Sequence, residues 1–209
     1  MRAMLAGPLI EEDRMHPDRD PRWLRLHDRE WVCPCCGVKH TGLFDLACAG
    51  PDLWPRGKKA RSNWNVLRAK KSFSDNILTD DFCILDGEHF FVRCLLRLPI
   101  VGEEDFFGFG VWSTLSRANF ELYVDTFDSD EQDSLGPWFG WFSNKLKGYP
   151  DTLHLRCHVW PQADGQRPFV ELEPTEHPLA TEQQEGITFD RVLELYALHG
   201  HDLRAALSD

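Results

Sequence analysis

Strand-like segments follow one another through the middle of the chain, and this succession constrains the fold more than any other feature. Apolar segments that alternate or are rich in aromatic residues are typical of strands, and they occupy residues 82–85, 89–98, 107–115, 136–142, 153–159 and 169–172. The turn dipeptides Asp86-Gly87 and Asp164-Gly165 predict hairpins. Helices are predicted over 117–127, with Ser116 as N-cap, and over 188–199. The pattern predicts an α+β fold with a mostly antiparallel sheet and flanking helices.

One large class of enzyme is excluded by the order of these segments. Strands and helices do not alternate along the chain, and no glycine-rich phosphate-binding loop follows a strand. A dinucleotide-binding fold needs both features. We therefore expect no nucleotide cofactor of that kind.

A single packed domain with a tail at each end is predicted. Apolar residues make up 42% of the 209 residues, which is enough for a hydrophobic core. Prolines and dense charge near the start predict mobility there. The predicted boundaries are a mobile N-terminal tail over 1–28, a single α+β domain over 29–200 and a C-terminal tail over 201–209. Within the domain we predict a Cys/His knuckle over 29–50, a basic connecting segment over 51–80, and the sheet and helices over 81–200.

A cysteine-rich turn predicts a metal site near the start of the domain. Cys33 and Cys36 flank a tight turn that contains proline and ends at Gly37, and His40 follows. Two thiolates three positions apart can bind one tetrahedral metal ion, which is most often zinc. Cys33, Cys36 and His40 are therefore the first three predicted ligands of a structural zinc site resembling a zinc knuckle.

The fourth zinc ligand is less constrained by spacing. Cys83 and Cys48 are the candidates, and Cys83 is favoured because it stands near the start of a predicted strand, whereas Cys35 is awkwardly placed between the first two ligands. Two other interpretations stay open for Cys33 and Cys36, namely free thiols in a metal-free turn and a redox dithiol. A thioredoxin-like dithiol would open a helix after a strand, whereas the polar exit from this turn suits a knuckle.

A second polar cluster lies after the last predicted strand. Glu171, Glu173 and His177 could bind a metal or carry out acid–base chemistry, and in a strand the two glutamates point to the same face. They are the catalytic candidates of an alternative function, a metal-dependent hydrolase. The simpler interpretation is a solvated strand end and a helix-capping loop, since a helix start favours nearby carboxylates.

Charge is unevenly distributed along the chain. The net charge is −11, residues 1–75 carry 14 Lys and Arg against 10 Asp and Glu, and residues 76–209 carry 9 against 24. The acidic body should repel nucleic acids and anionic membranes and attract a basic protein partner. The basic run Arg56–Lys71, interleaved with Trp64, is the one segment expected to contact nucleic acid, although a solvated loop or helix is the favoured interpretation.

Two aromatic segments contain glycine, namely Phe106–Trp112 and Trp138–Phe142. They predict either a stacking platform for a ligand ring or a packed sheet face, and core packing is favoured.

No run of about 18 apolar residues occurs, so no membrane span is expected. The mildly apolar start, Met1–Ile10, lacks a cleavage pattern. An odd number of cysteines, 7, then favours metal ligation and free thiols over disulfides. We expect a cytoplasmic protein.

A series of motifs resembles a bacterial family, domain-of-unknown-function family 2199. The motifs are C-P-C-C-G-x-x-H-x-G-L (33–43), A-x-P-D-x-W (49–54), D-x-C-x-x-D-G (81–87), F-F-V-R (90–93), G-V-W-S-x-L-S (110–116), F-G-W-F-S-x-x-L (139–146), Y-P-D-T-L (149–153) and R-P-x-V-E-L-E-P-T-E-H-P-L-A (167–180). The resemblance implies a cytosolic bacterial protein in which Cys33, Cys36, His40 and Cys83 belong to one group. It implies no activity.

Taken together, these features predict a zinc-stabilised, non-enzymatic protein-binding domain of an adaptor or immunity type. The acidic body and the aromatic surface would form the contact with a partner that is itself basic. The alternative is the metal-dependent hydrolase that uses Glu171, Glu173 and His177.

Overall fold

The structure is a computed structural model, and it describes residues 20–28, 30–55 and 76–208. The helices are α1 (Pro21–Asp28), α2 (Arg117–Asp125), α3 (Pro178–Glu185), α4 (Phe189–Leu198) and α5 (Arg204–Leu207), with a 3-10 turn, η1 (Gln132–Leu135). The strands are β1 (Trp31–Val32), β2 (Lys39–His40), β3 (Leu46–Ala47), β4 (Ile77–Leu78), β5 (Phe82–Leu85), β6 (His89–Pro99), β7 (Phe106–Leu115), β8 (Trp138–Trp141), β9 (Arg156–Trp160) and β10 (Phe169–Leu172). The α+β class predicted from the sequence is confirmed.

The main sheet is built around the long hairpin of β6 and β7. Its strand order is β3-β7-β6-β10-β9-β8, and β5, with β4 beyond it, pairs with the first half of β6. The prediction of a mostly antiparallel sheet is corrected here, because the sheet is mixed. β3 lies parallel to β7 and β10 lies parallel to β6. The parallel pairing of β10 with β6 could not be predicted from the sequence, because β7, α2, β8 and β9 lie between these two strands along the chain.

β8, at one end of this strand order, returns to contact β7 near the other end. Phe142, directly after β8, forms an antiparallel bridge with Ser113 of β7. The Ser143 amide donates to the Trp112 carbonyl oxygen at 2.9 Å, and the Trp141 amide donates to Thr114 Oγ1 at 2.9 Å. Gly140 makes this close approach possible, since a Cβ atom there would lie 2.4 Å from the Thr114 carbonyl oxygen. The sheet therefore closes on itself like a small barrel.

Alternation along β5 separates two hydrophobic clusters. Phe82 and Ile84 face the main core, where they join buried side chains of β6, β7, α2 and α4. Cys83 and Leu85 face a smaller cluster that contains Trp112. Successive side chains of a strand point to opposite faces, so Cys83 lies on the face of β5 opposite the main core.

Both chain ends of the described region pack onto the domain, and this shifts the predicted boundaries. Residues 21–28, placed in the mobile tail by the sequence, form α1, which buries Trp23 and Leu26. Residues 204–207, placed in the C-terminal tail, form α5, which buries Leu207. The Arg25 side chain donates to the Leu207 carbonyl oxygen and links the two helices. Residues 1–19 and the basic run Arg56–Lys71 lie outside the described residues. Within the described ranges, no helix has the length and apolar character needed to cross a bilayer.

The start of α1 carries a testable charge interaction. The Asp20 carboxylate accepts a hydrogen bond of 2.8 Å from the backbone amide of Arg22, and its other oxygen forms an ion pair of 2.6 Å with the Arg22 guanidinium. The Arg22 hydrogen bond is the largest cause that lowers the pKa of Asp20 below its usual value of 3.8. A carboxyl group with a lowered folded-state pKa stabilises the fold above its unfolded pKa and loses that contribution as pH falls.

We therefore expect Asp20→Asn to lower the free energy of unfolding by about 0.5 kcal/mol at pH 7, since Arg22 is partly exposed and screened. The difference should shrink below about pH 4. Denaturant titrations of both proteins at pH 7 and pH 3 measure it. A difference that grows toward pH 3 would contradict the assignment.

Candidate functional site

A short hairpin holds the cysteine turn. β1 and β2 pair antiparallel, with Trp31 opposite His40. At the base of the turn, the Cys33 amide donates to the Val38 carbonyl oxygen and the Gly37 amide to the Cys33 carbonyl oxygen, both at 2.9 Å. Gly37 has a φ of 70°, a left-handed conformation that glycine adopts without strain. The turn is thus fixed by backbone bonds, with Cys33 at its inner side.

The end of α4 brings a histidine to this turn. Gly200 has a φ of 91°, and its amide donates to the Ala197 carbonyl oxygen at 3.0 Å, while the His201 amide donates to the Tyr196 carbonyl oxygen at 2.8 Å. These two bonds define a Schellman C-cap, in which a left-handed glycine reverses the chain after a helix. The reversal directs His201 back toward the hairpin.

Cys33, Cys36 and His201 come together at this point. One donor atom from each lies within 4.8 Å of the others, and these three make up a group among the described residues that could hold a metal ion. Cys33 Sγ lies 3.4 Å from His201 Nδ1. Cys33 is buried, His201 is half-buried and Cys36 is exposed, so the group opens to the surface on one side.

The surroundings of Cys33 favour its thiolate. Burial opposes ionisation, but the hydrogen bond with His201 and the backbone amides of Cys36 and Cys35 outweigh it, and together they lower the pKa of Cys33 to about 7. The thiolate is the form of cysteine that binds metals. Cys33 is therefore the member of the group best prepared to act as a ligand.

His40, a predicted ligand, lies beside this group. Its ring stacks on Phe44 with centroids 4.2 Å apart, and Phe44 also contacts the His201 ring edge-on at 5.2 Å. His40 Nε2 is buried and has no hydrogen-bond partner in the described part of the chain. Burial, followed by the nearby charge of His201, lowers the pKa of His40. A neutral imidazole with a free nitrogen is a suitable metal ligand.

Cys83, the predicted fourth ligand, is not a member of the group. It is fully buried in the smaller cluster beside Phe91 and Trp112, and burial raises the pKa of its thiol to about 12. Cys33 packs with the main core, on the other side of β5. The period-two alternation of the strand thus separates the two sulfur atoms.

The other cysteines are also accounted for. All seven carry free thiols. Cys48, the other candidate for the fourth ligand, packs against both clusters, and burial raises the pKa of its thiol to about 11. Cys35 is exposed. A thioredoxin-like dithiol stands at the start of a helix. The turn at Cys33 instead lies between the strands β1 and β2.

The structure does not assemble Glu171, Glu173 and His177. The Glu171 carboxylate accepts the indole N–H of Trp160 at 2.9 Å on the outer face of the sheet. Glu173 is paired with Arg156 at 2.6 Å. His177 is the N-cap of α3, and its Nδ1 accepts the Leu179 amide at 3.1 Å. Each residue therefore has a local structural partner.

The two aromatic segments differ in burial. The segment Phe106–Trp112 is largely buried, as core packing predicts. In β8 the side chains alternate, so that Trp138 is buried while Phe139 and Trp141 are each 40% exposed. The second segment is thus half core and half surface.

His201 was missed because it lies in the predicted C-terminal tail. A signal was present, since a glycine directly after a helical pattern is typical of a C-cap that turns the chain back. Gly200 stands directly after the predicted end of the last helix. Nothing in the spacing, however, indicates which part of the fold the next residue would meet.

Fold and site together define an α+β protein that carries a surface Cys-Cys-His group between its N-terminal hairpin and its C-terminal segment. The profile of a family described as an uncharacterised protein conserved in bacteria, domain-of-unknown-function family 2199, matches residues 32–187, and the chain belongs to this family. The match includes Cys33 and Cys36 and ends before His201. No curated protein and no solved structure matches the chain.

Proposed function

We propose that this protein is a zinc-stabilised, non-enzymatic protein-binding domain. The zinc assignment is carried by the proximity of Cys33, Cys36 and His201, whose donor atoms all lie within 4.8 Å of one another. Two thiolates and an imidazole nitrogen are donors typical of structural zinc sites. Zinc in this position would tie the β1–β2 hairpin to the segment after α4.

His40, which the sequence predicts as a ligand, is proposed to complete the set with Cys33, Cys36 and His201, in place of the predicted Cys83. Its buried Nε2 lacks a hydrogen-bond partner among the described residues, and a buried polar atom without a partner is costly. His40 also lies on the same side of the fold as the group, because its ring and that of His201 both contact the phenyl ring of Phe44. Cys83 is left out of the proposed set because it faces the smaller cluster.

Three variants test this ligand set. We expect His201→Ala and His40→Ala each to weaken Co²⁺ binding at least about tenfold, since the loss of even an outer-shell partner costs that much. Cys83→Ala is the control and should leave Co²⁺ affinity unchanged. Titration with Co²⁺, followed by the thiolate-to-metal absorption band, measures all three. Loss of the band in Cys83→Ala, with no change in His201→Ala, would overturn the set.

An exposed aromatic row supports the protein-binding part of the proposal. Phe139 and Trp141 of β8 and Trp160 of β9 are 40–42% exposed on the outer face of the sheet, and the Arg156 guanidinium lies 5.2 Å from the Phe139 ring. Tryptophan, phenylalanine and arginine are enriched at protein interfaces. The net charge of −11 favours a partner with basic groups.

The aromatic row can be tested with a matched pair of variants. We expect Trp141→Ala to abolish retention of a specific bacterial protein by the immobilised chain and to weaken its binding, once purified, by about thirtyfold, the effect of a hot-spot residue. Leu122→Ala removes an equally exposed apolar side chain from α2 and should have no effect. Equal binding by both variants would remove this face from the proposal.

The partnered states of Glu173 and His177 favour the non-enzymatic function over the hydrolase. A metal-dependent hydrolase needs carboxylates and a histidine that converge on one ion or water molecule. Here the charge of Glu173 is compensated by Arg156, and His177 uses one ring nitrogen to cap a helix.

A further inference from the structure

An open cleft of about 640 Å³ lies beside the exposed aromatic row. It is formed where the ends of β6, β9 and β10 meet the turn that precedes β7. Trp160 stands at the boundary, since it belongs both to the aromatic row and to the wall of the cleft. The cleft is therefore continuous with the proposed contact face.

Aromatic rings form one side of the cleft. Phe106 and Phe169 line it together with Trp160. The Arg97 guanidinium lies 3.4 Å from the centroid of the Phe169 ring and 5.3 Å from that of Phe106. This stacking holds Arg97, the one basic side chain among the lining residues, against the rings, while Trp160 in the same wall is 42% exposed.

Carboxylates form the other side. Glu103, Glu104, Asp105 and Glu171 all line the cleft, against the single positive charge of Arg97. Glu171 uses Oε2 to accept the indole N–H of Trp160, which orients the carboxylate and the ring relative to each other. Glu103 Oε1 is buried and has no hydrogen-bond partner among the described residues. Aromatic rings attract ammonium and guanidinium groups over their faces, and carboxylates pair with the same groups, so a wall that combines the two suits a cation.

We propose that this cleft binds a lysine or arginine side chain of the partner protein, between the Trp160 ring and the carboxylates of Glu171 and Glu103. The inference rests on the proposed protein-binding function and names the chemistry of the partner. The excess of carboxylates attracts the cation, the indole ring accepts its apolar stem, and the Glu103 oxygen gains a donor. The neighbouring cleft of about 470 Å³ offers no such preference, because Arg93 and Arg167 offset Asp45 and Asp81 there.

The test uses the full chain and a peptide with one positive charge. The tripeptide acetyl-Gly-Lys-Gly-amide is titrated into ¹⁵N-labelled protein, and acetyl-Gly-Gln-Gly-amide is the neutral comparison. The readouts are the indole N–H signal of Trp160, assigned with Trp160→Phe, and the backbone amide signals of Phe106 and Phe169. We expect saturable shifts of these signals with the lysine peptide and none with the glutamine peptide.

Charge-matched variants separate the cleft from general attraction to an acidic protein. Glu171→Gln and Glu103→Gln should each weaken peptide binding about fivefold, the upper range for an exposed charge pair. Glu131→Gln removes the same charge from an exposed loop position outside the cleft and should change the affinity less than twofold. Absence of saturable shifts at the three positions, or equal effects of Glu131→Gln and Glu171→Gln, would overturn the proposal. Neither result bears on the Co²⁺ and Trp141 experiments, so the two proposals fail separately.

Discussion

Cys36→Ser is expected to remove zinc from the purified protein. It should also lower the free energy of unfolding by about 4 kcal/mol, when both proteins are compared in buffer whose zinc concentration is well above the dissociation constant of the wild-type site. Cys36 is exposed, so its thiol contributes little to core packing. A serine hydroxyl is a poor zinc ligand, and loss of one thiolate from the group removes most of the binding energy. Elemental analysis and urea unfolding measure the two effects.

Cys35→Ser provides a control one residue away. Cys35 is also exposed, but its sulfur is outside the group formed by Cys33, Cys36 and His201. The same chemical change should leave zinc content and unfolding free energy within about 0.5 kcal/mol of the wild-type values. Equal zinc per chain in the two variants would contradict the metal site.

Gly140→Ala is expected to have the largest effect on the fold itself, a loss of about 3 kcal/mol. A Cβ atom at this position would lie 2.3 Å from Ser113 Oγ and 2.4 Å from the Thr114 carbonyl oxygen. Backbone cannot yield as a flexible side chain does, so β8 would have to move away from β7. The bridge between Phe142 and Ser113, which closes the sheet, would open.

Gly110→Ala is the matched comparison for this effect. Gly110 is also a strand glycine, in β7, but its Cβ atom would make ordinary contacts of 3.5 Å with Ala47 and Arg93. Alanine there should change stability by less than about 1 kcal/mol. Thermal and urea unfolding of both variants test the closure. Equal stability of the two variants would show that β8 and β7 are not held together at Gly140.

Local sequence patterns predicted the six strands from β5 to β10 and the helices α2 and α4, because burial on one face imposes a period that is visible in the sequence. The hairpin signal at Asp86-Gly87 is confirmed by the pairing of β5 with β6, and Asp86 has the positive φ that such a turn requires. Ser116 caps α2 as predicted, its side chain accepting the Asn119 amide. These features depend on neighbours a few residues apart.

Long-range contacts could not be predicted in the same way. The parallel pair of β6 and β10 joins Leu95 to Phe169, and the approach of His201 to Cys33 spans nearly the whole described chain. No local pattern specifies which distant element a residue meets. Cys83 illustrates the difficulty. Its strand was predicted correctly, but its sulfur points to the face of β5 that packs in the smaller cluster, away from the cysteine turn.

Charged residues posed a related problem. The spacing of Glu171 and Glu173 is compatible with catalysis, but their role depends on the residues across the sheet. Arg156 on β9 pairs with Glu173, and Trp160 donates to Glu171. Cross-strand partners of this kind follow from the register of β9 and β10, which the sequence leaves open.

The decisive measurement for the metal site is the zinc content of the wild-type protein, combined with thermal unfolding before and after removal of the metal by a strong chelator. We expect about one zinc ion per chain, retention of this ion during mild chelation, and a lower unfolding temperature after its removal that added zinc restores. A protein that purifies without zinc, and whose unfolding temperature does not change when zinc is added, would contradict the metal site.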